Sequence, residues 1–369
     1  MRNFFNSFQT IINQRIIKEN NQIRIKDIAE RAEVSIGTVD RVLHNRGEVA
    51  EKTKRRILKI IEELDYQPNI LASTLASRKS AVFATLFPEP PSAEGYWNKP
   101  FIGVQRRISE LRQYGVQLQS YTFNQTDPDS FVKEYKKILE LKPEGVLFPP
   151  FFKKESLKFI AELNEQKIPF VFLDSEIKNE GQIGYVGQDS YQSGKVSARL
   201  LDLILPVGNI LIIHFAKKMD NQNHLVQREK GFYDWYSQNS SSTHKLITVE
   251  ISDTENENWM QKVISRIKDL DIKGIFVTNS KVFYAGRLIE KFQLKNIKII
   301  GHDLLFENVE FLKKEIVHFL ICQRPEEQGY NAVNKLFRSV VQKREIAREN
   351  YTSIDIVIKE NVDYYKEFK

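Results

Sequence analysis

The sequence predicts two kinds of architecture in one chain: an N-terminal all-α unit, then a larger α/β unit in which parallel, doubly wound sheets form two lobes. Apolar stripes at helical spacing fill residues 25–66. From Ala81 onward, short apolar runs alternate with segments long enough for crossover helices, a pattern typical of parallel sheets covered on both faces. The alternation is too long for one small sheet, and it therefore indicates two similar lobes.

Three helices are predicted in the N-terminal unit. The first begins near Lys26, the second runs from Ser35, which can cap it, to His44, and the third covers residues 51–64. Pro68 then ends the helical pattern.

The α/β unit is predicted to contain eleven strands, each a short apolar run. They cover residues 81–87, 116–123, 145–149, 169–174, 183–187, 209–215, 245–251, 274–278, 297–303, 317–323 and 354–359. Most of the intervening segments have the length of a crossover helix, as a parallel sheet requires.

Positive charge is concentrated in the helical unit. Residues 1–80 contain 15 Lys+Arg and 10 Asp+Glu, whereas residues 81–369 contain 40 and 38. A compact basic segment is typical of a protein that binds a polyanion, although an ordinary solvated surface is an equal alternative.

Cysteine usage and hydropathy predict a cytoplasmic protein without membrane association. The single Cys322 cannot form an intrachain disulfide, which fits a reducing compartment. The first 20 residues lack the apolar core and cleavage site of a signal peptide, and no run approaches the ~20 apolar residues of a membrane span. Residues 1–22 form an N-terminal extension for which a short amphipathic helix and a frayed arm fit equally well.

Residues 23–80 resemble the lactose and galactose repressor (LacI/GalR) family. The resemblance lies in the strings D-I-A-x-x-A-x-V-S-x-x-T-V-x-R-V-L, which begins at Asp27, and Y-x-P-N-x-x-A-x-x-L-A, which begins at Tyr66. A bare helix-turn-helix pattern is weakly specific, but this full string followed by an α/β domain is strongly specific. The resemblance implies a helix-turn-helix DNA-binding domain over 23–68, a hinge helix or linker over 69–80, and a periplasmic-binding-protein-like ligand domain over 81–369.

The resemblance places the second helix in the major groove of DNA. Ile36 and Gly37 would face base edges through methyl contact or close backbone approach, and Arg41 could donate two hydrogen bonds to a guanine. An ion pair on a solvated helix face is the alternative role of Arg41. The polar side chains that could bind phosphates are Ser35, Thr38 and Asn45.

Residues 69–77 resemble the hinge helix of the family. In relatives this helix folds only on operator DNA, and a leucine enters the minor groove; Ala72 and Leu75 match the positions that do so. A helix this short is marginal in isolation, so its folding could couple DNA binding to the ligand state.

In the ligand domain, the resemblance implies two lobes joined by three crossovers, which we expect near Gly187, Gln323 and Tyr351. The expected lobes cover about 81–187 with 324–350, and about 188–323 with 351–369. A ligand would lie in the cleft between them, at the carboxyl ends of strands. Asp189 is expected to cap the helix that follows the first crossover.

Seven side chains match the ligand-contact positions of the family or fit a polyhydroxylated ligand: Trp97, Phe101, Asp174, Arg228, Asn279, Asp303 and Gln323. The two aromatic residues could stack on a sugar ring or pack in the core, and Asp174 could accept hydroxyl groups or cap a turn. Arg228, in the motif R-x-x-G-F, offers a fork of donors. An ion pair is the alternative for Arg228 and Asp303, and Gln323 could contact ligand or stabilise the hinge.

The sequence thus predicts a dimeric transcription regulator that binds operator DNA and a small polar effector. The resemblance to the family favours a repressor over an activator. A sugar is the preferred effector, with a nucleoside, a sugar acid or a phosphorylated metabolite as alternatives. A second copy of the chain is expected as partner, because one helix-turn-helix reads half of a palindromic site. No catalytic motif, zinc-ligand spacing or cofactor motif is present, so we expect neither an enzyme nor a metal or cofactor site. The rival from another class is a sugar-binding receptor without a DNA role.

Overall fold

A computed structural model describes residues 23–43, 47–64, 66, 80–90, 95–178, 180–205, 207–216, 223–239, 244–254 and 256–365. The chain divides into two compact units, with the boundary between Lys79 and Ser80. The extension at 1–22 and the predicted DNA contacts Asn45, Ala72 and Leu75 lie outside the described residues.

The N-terminal unit contains three helices, as predicted: α1 (Ile25–Arg31), α2 (Ile36–Leu43) and α3 (Glu51–Glu63). Their apolar faces form one small core around Ile28, Val39 and Ile57, each of which is fully buried. Ser35 caps α2, since its Oγ accepts a hydrogen bond from the Thr38 N–H at 3.2 Å, which confirms the predicted cap.

The α/β unit contains nine α-helices and twelve strands in its described residues. The helices are α4 (Asn98–Leu111), α5 (Pro128–Leu141), α6 (Lys153–Glu165), α7 (Ser190–Ile204), α8 (Asn223–Asn239), α9 (Asn258–Asp269), α10 (Val282–Lys291), α11 (Phe306–Lys313) and α12 (Pro325–Leu336), the last extended by a π-helical turn at Phe337–Val341. The strands are β1 (Ala81–Pro88), β2 (Val116–Phe123), β3 (Gly145–Phe148), β4 (Phe170–Leu173), β5 (Gly184–Gly187), β6 (Asn209–His214), β7 (Leu246–Glu250), β8 (Ile272–Val277), β9 (Lys298–His302), β10 (Phe319–Cys322), β11 (Glu349–Tyr351) and β12 (Asp355–Val357). None of the described helices is both long enough and apolar enough to cross a bilayer.

The strands form two six-stranded sheets, in the orders β11-β5-β4-β3-β1-β2 and β12-β10-β9-β8-β6-β7. We call the first sheet and its helices lobe 1, and the second sheet and its helices lobe 2. All paired strands run parallel except β12, which is antiparallel to β10. The predicted parallel, doubly wound fold class is confirmed with that one exception.

Helices cover both faces of the sheets. In β8, Ile275 and Val277 pack into one core of lobe 2, whereas Phe276 between them packs into the core on the opposite face. Strands buried on both faces, such as β3, β4 and β5, read as continuous apolar runs and are therefore recognisable in the sequence.

The chain passes between the two lobes three times. It leaves the first sheet after Gly187, returns to lobe 1 after Cys322, and crosses again between Tyr351 and Asp355. The segment that returns, α12, packs closely on α4, where a Cβ on Gly103 would lie 1.9 Å from the Glu326 carbonyl oxygen. Three crossovers leave a cleft between the lobes at the carboxyl ends of their strands.

Candidate functional site

Two carboxylates occupy equivalent positions in the two lobes. Asp174 follows β4, and its N–H donates to Val186 of β5 at 3.0 Å; Asp303 follows β9, and its N–H donates to Ile321 of β10 at 2.9 Å. Both residues are buried and have left-handed backbones, with φ of 65° and 68°. Aspartate tolerates this conformation better than most residues. The turn that ends each strand therefore presents one carboxylate at the cleft edge of its sheet.

Tyr96 interacts with the carboxylates of both lobes, Asp174 and Asp303. Its hydroxyl donates to Asp174 Oδ1 at 2.5 Å. Burial raises the pKa of Tyr96 well above its usual value, the charges of Asp174 and Asp303 add to the rise, and Arg228 opposes it. The phenol therefore remains a donor. Burial also raises the pKa of Asp174, against the opposing effects of the Tyr96 hydrogen bond and Arg228.

Arg228 is the cation of the cleft. It projects from α8, is 2% exposed, and donates from Nη1 to the Thr278 carbonyl oxygen at 2.7 Å. Its Nε is buried and has no hydrogen-bond partner in the described part of the chain. A buried donor without a partner is rare, and the Arg228 guanidinium is accordingly suited to donate a hydrogen bond to a ligand oxygen.

Gln323 holds the carboxylate of Asp303. Its Nε2 donates to both carboxylate oxygens, at 2.9 and 3.1 Å. The Gln323 carbonyl oxygen accepts in turn from Gln328 at 2.8 Å, and Asn308 Nδ2 donates to the Asp303 carbonyl oxygen at 2.9 Å. Gln323 thus holds the side chain of Asp303, and Asn308 holds its backbone.

Two histidines lie beside Arg228. Burial, followed by the charge of Arg228, lowers the pKa of His224 to about 3 and that of His302 well below its usual value. His302 Nδ1 lies 3.3 Å from the Val277 carbonyl oxygen, and its Nε2 lies 3.1 Å from Ser193 Oγ. Because a carbonyl oxygen only accepts, we assign the proton to Nδ1. Both rings are therefore neutral, and Arg228 carries the positive charge of this group.

Three of the predicted ligand residues have other partners. Trp97 is buried and lies against Phe87, with ring centroids 6.0 Å apart, and Phe101 also packs on Phe87 at 6.4 Å. Asn279 donates from Nδ2 to the Phe215 carbonyl oxygen at 3.0 Å, and its Oδ1 accepts from the Lys281 N–H at 3.2 Å. The geometry therefore groups Asp174, Arg228, Asp303 and Gln323 around Tyr96, while these three side chains pack or bond within their own lobes.

Gln188 connects the three crossovers. Its Nε2 donates to the Cys322 carbonyl oxygen at 3.2 Å and to the Ser353 carbonyl oxygen at 3.1 Å. Asp189, the next residue, caps α7 by accepting from the Gln192 N–H at 2.9 Å, which confirms its predicted structural role. The sequence did not predict roles for Gln188, Tyr96 and His302. A signal for Tyr96 was present, since it is adjacent to Trp97, which was predicted as a ligand contact.

In the N-terminal unit, α2 has one buried and one exposed face. Val39 and Val42 are buried, whereas Ile36 is 52% exposed and Gly37 and Arg41 are exposed with it. The exposed Ile36 side chain is available for methyl contact with a base, and Gly37 and Arg41, four residues apart, lie on one face of the helix. Elsewhere in the described ranges, no group of three His, Cys, Asp or Glu side chains is placed to hold a metal ion.

Both units match known protein families. Residues 24–69 match the family described as bacterial regulatory proteins, lacI family, and residues 85–343 match the periplasmic binding protein domain. A crystal structure described as a LacI transcriptional regulator from Bacteroides fragilis superimposes with a TM-score of 0.73 at 29% identity, covering 78% of this chain and 100% of that one.

Curated relatives align over a shorter stretch. Catabolite control protein A of Streptococcus mutans is 28% identical over 182 residues, which are 49% of this chain and 52% of that protein. The HTH-type transcriptional regulator RegA of Clostridium acetobutylicum is 32% identical over 153 residues, 41% of this chain and 43% of that protein. The chain thus spans about half the length of the curated relatives it matches.

The α/β unit, with its two lobes and strand-end carboxylates, is a periplasmic-binding-protein domain. The helix-turn-helix segment before that domain, residues 24–69, matches bacterial regulatory proteins of the lacI family.

Proposed function

We propose that the chain is a sequence-specific DNA-binding transcription regulator whose operator binding is controlled by a small neutral polyhydroxylated ligand, a sugar. The observation that carries the proposal is the presence, in one chain, of a lacI-family helix-turn-helix unit and a two-lobed binding unit with charged side chains grouped at the strand ends. RegA, named as a transcriptional regulator, supports this assignment.

In the proposed DNA complex, α2 reads the major groove. Ile36 and Gly37 contact base edges by methyl contact and close approach, and Arg41 donates to a guanine. Ser35 and Thr38 bind phosphates, although their hydroxyl groups also bond each other at 2.9 Å. Asn45, Ala72 and Leu75 remain predicted contacts from the family resemblance, and the chain is proposed to act as a homodimer on a palindromic site.

The charges of the cleft favour a neutral ligand over a phosphorylated one. Two buried carboxylates, Asp174 and Asp303, face one guanidinium, Arg228, and the two histidines beside it are neutral. A phosphate or sugar acid would add negative charge to a buried site that already has more negative than positive groups. Sugar hydroxyl groups, in contrast, can donate to the carboxylates and accept from the guanidinium.

Control of DNA binding is proposed to work through the relative position of the lobes. A ligand that bonds Asp174 of lobe 1 and Arg228 or Asp303 of lobe 2 is tighter in the closed arrangement, so it shifts the population toward closure. The Asn223 side chain, which donates to the Glu176 carbonyl oxygen of lobe 1 at 3.2 Å, joins the lobes on the same side. Closure would then alter the dimer and the folding of the segment at 69–80.

A thermal-shift screen tests the ligand assignment. The full chain is tested against neutral monosaccharides, the matching sugar phosphates and nucleosides. A ligand at 100 times its Kd is expected to add about 2.7 kcal/mol to the free energy of unfolding. Stabilisation by sugar phosphates alone would contradict the neutral-ligand proposal. A sugar-binding receptor would give the same shift, so binding of a selected DNA duplex by the same protein separates the two functions.

A further inference from the structure

A groove lined by cationic side chains lies in lobe 1, away from the cleft. Its volume is about 740 Å³. The charged and polar side chains that line it are Lys142, Glu144, Gln166, Lys167, Ser339 and Lys343. All three lysines are exposed, so their ammonium groups are available to a partner in solution.

The groove lies at the amino-terminal ends of the strands of lobe 1. Lys142 follows α5 and precedes β3, and Lys167 follows α6 and precedes β4. Asp174 lies at the other end of β4, so a ligand held by Asp174 does not occupy the groove. Because β1 runs parallel to β3 and begins at Ala81, this edge is also where the α/β unit begins.

The groove has a net positive charge, since its lining contains three lysines and one carboxylate, that of Glu144. In the ranges that the structure covers, no carboxylate forms an ion pair with Lys142, Lys167 or Lys343, and the Glu144 carboxylate accepts from the Val82 N–H at 2.7 Å. Lys314 of lobe 2 gives a contrast, since it is an exposed lysine that pairs with Glu290 at 2.8 Å.

Further cations lie on the segment that closes one side of the groove. Arg338, Arg344 and Arg348 are exposed and flank Ser339 and Lys343 along the chain. Only one acidic residue lies between 338 and 348. The ligand domain is nearly neutral as a whole, so the excess of positive charge is local to this segment.

We propose that this groove binds phosphates of the DNA backbone, as a contact outside the helix-turn-helix. The inference rests on the proposed DNA-binding function. Lysine binds phosphate as a point charge, and such contacts add affinity without reading sequence. Since the α/β unit is covalently joined to the DNA-binding unit at the edge where the groove lies, a duplex held by one unit is at high effective concentration for the other.

The test is the salt dependence of duplex binding by the full chain. Affinity for a labelled duplex of arbitrary sequence is measured by fluorescence anisotropy between about 50 and 200 mM salt. Each lost phosphate contact lowers the slope of log K against log salt by about 0.9, so K167Q/K343Q is expected to lower it by about two.

The matched control is K262Q/K268Q, which removes the same charge from two exposed lysines of α9 in lobe 2. Its slope should equal that of the wild type, and equal melting temperatures of the three proteins exclude misfolding. An unchanged slope in K167Q/K343Q, or an equal fall in both variants, overturns the groove proposal while leaving DNA binding intact. A wild type that binds no duplex at any salt concentration overturns the proposed function itself.

Discussion

The side-chain amide of Gln188 donates a hydrogen bond to the carbonyl oxygen of Cys322, at 3.2 Å, and thereby joins the first crossover between the lobes to the second. The same nitrogen reaches Ser353 in the third crossover. The Gln188 side chain is 1% exposed. One amide therefore fixes three chain segments about which the lobes must move.

Replacement of Gln188 by alanine is expected to destabilise the α/β unit and to loosen the crossovers. The buried Cys322 carbonyl oxygen and the partly buried Ser353 carbonyl oxygen lose a donor, at a cost of about 1–3 kcal/mol. Amide hydrogen exchange should become faster at residues 186–189, 322–324 and 352–355. The increase in rate there should exceed the increase that the loss of global stability produces.

Gln182→Ala is the matched control for Gln188→Ala. Gln182 is also buried, but among the described residues it bonds Glu180 and Ile177 of its own lobe. The Gln182→Ala substitution should lower the melting temperature without selectively accelerating amide hydrogen exchange at the crossovers. Equal exchange profiles in the two variants would show that Gln188 has no special role at the hinge.

Arg228→Lys should weaken ligand binding while preserving the charge of the cleft. Lysine cannot offer the planar fork of guanidinium donors, and a loss of about tenfold in affinity, or about 1.4 kcal/mol, is expected for the sugar found by thermal shift. Calorimetric titration measures it. Arg266→Lys, on α9 and outside the cleft, is the control and should bind as the wild type does.

Asp303→Asn should abolish most ligand binding with little change in fold. The asparagine keeps one oxygen that can accept from Gln323, but it loses the charge that strengthens bonds from sugar hydroxyl groups, which contributes about 1.5–3 kcal/mol to a bond. The comparison is with Asn308→Ala, which removes a residue that supports the Asp303 carbonyl oxygen. If Asp303→Asn binds sugar as tightly as the wild type, the carboxylate is structural.

Stability is expected to fall with acid because of His224. Burial and Arg228 lower its folded pKa to about 3, whereas in the unfolded chain a histidine has a pKa of about 6.5. Between these values the unfolded state binds more protons, so the contribution of neutral His224 is present above about pH 6.5 and is lost as the pH falls.

His224→Gln should therefore reduce the acid sensitivity of the protein. The expected difference from wild type is up to ~2 kcal/mol between about pH 7 and about pH 5, measured by denaturant unfolding at both values. His302 contributes in the same direction, so the variant should retain part of the dependence. An identical pH profile in the two proteins would contradict the lowered pKa of His224 in the folded protein.

Arg41→Ala should weaken binding to a selected operator by about 1–3 kcal/mol, and to that operator much more than to unrelated duplexes. Lys59→Ala is the control, because Lys59 lies on α3 in an exposed ion pair with Glu63 at 3.8 Å, an interaction of small energy. Equal weakening on operator and unrelated DNA would mean that Arg41 binds phosphate and does not read a base.

The fold was largely predictable because buried parallel strands carry their own pattern. The run at 116–123 is β2 without a change at either end, and the other predicted strands differ from the observed bounds by a few residues at most. The strand that was missed, β11, has three residues and begins with Glu349 and Asn350, so it has no apolar run. The antiparallel direction of β12 depends on the last crossover, which no local pattern encodes.

The site was less predictable, because strand-end position identifies a residue but not its partners. Asp174 and Asp303 follow apolar strands, and that placement alone suggests a cleft. Asn279 occupies a similar place in the sequence, yet its amide bonds the backbone of its own lobe. Tyr96 and Gln188 act across 78 and 134 residues of sequence, so their roles depend on long-range packing.

The most direct test of ligand-controlled DNA binding is a single titration of the full chain. Duplexes are first enriched from a random pool by the protein, and the affinity for the enriched duplex is then measured with and without the stabilising neutral sugar. We expect a palindromic duplex and a change of at least about tenfold in Kd on adding the sugar, a coupling of about 1.4 kcal/mol, with no change on adding the sugar phosphate. Failure to enrich any sequence, or an affinity that no sugar alters, would contradict it.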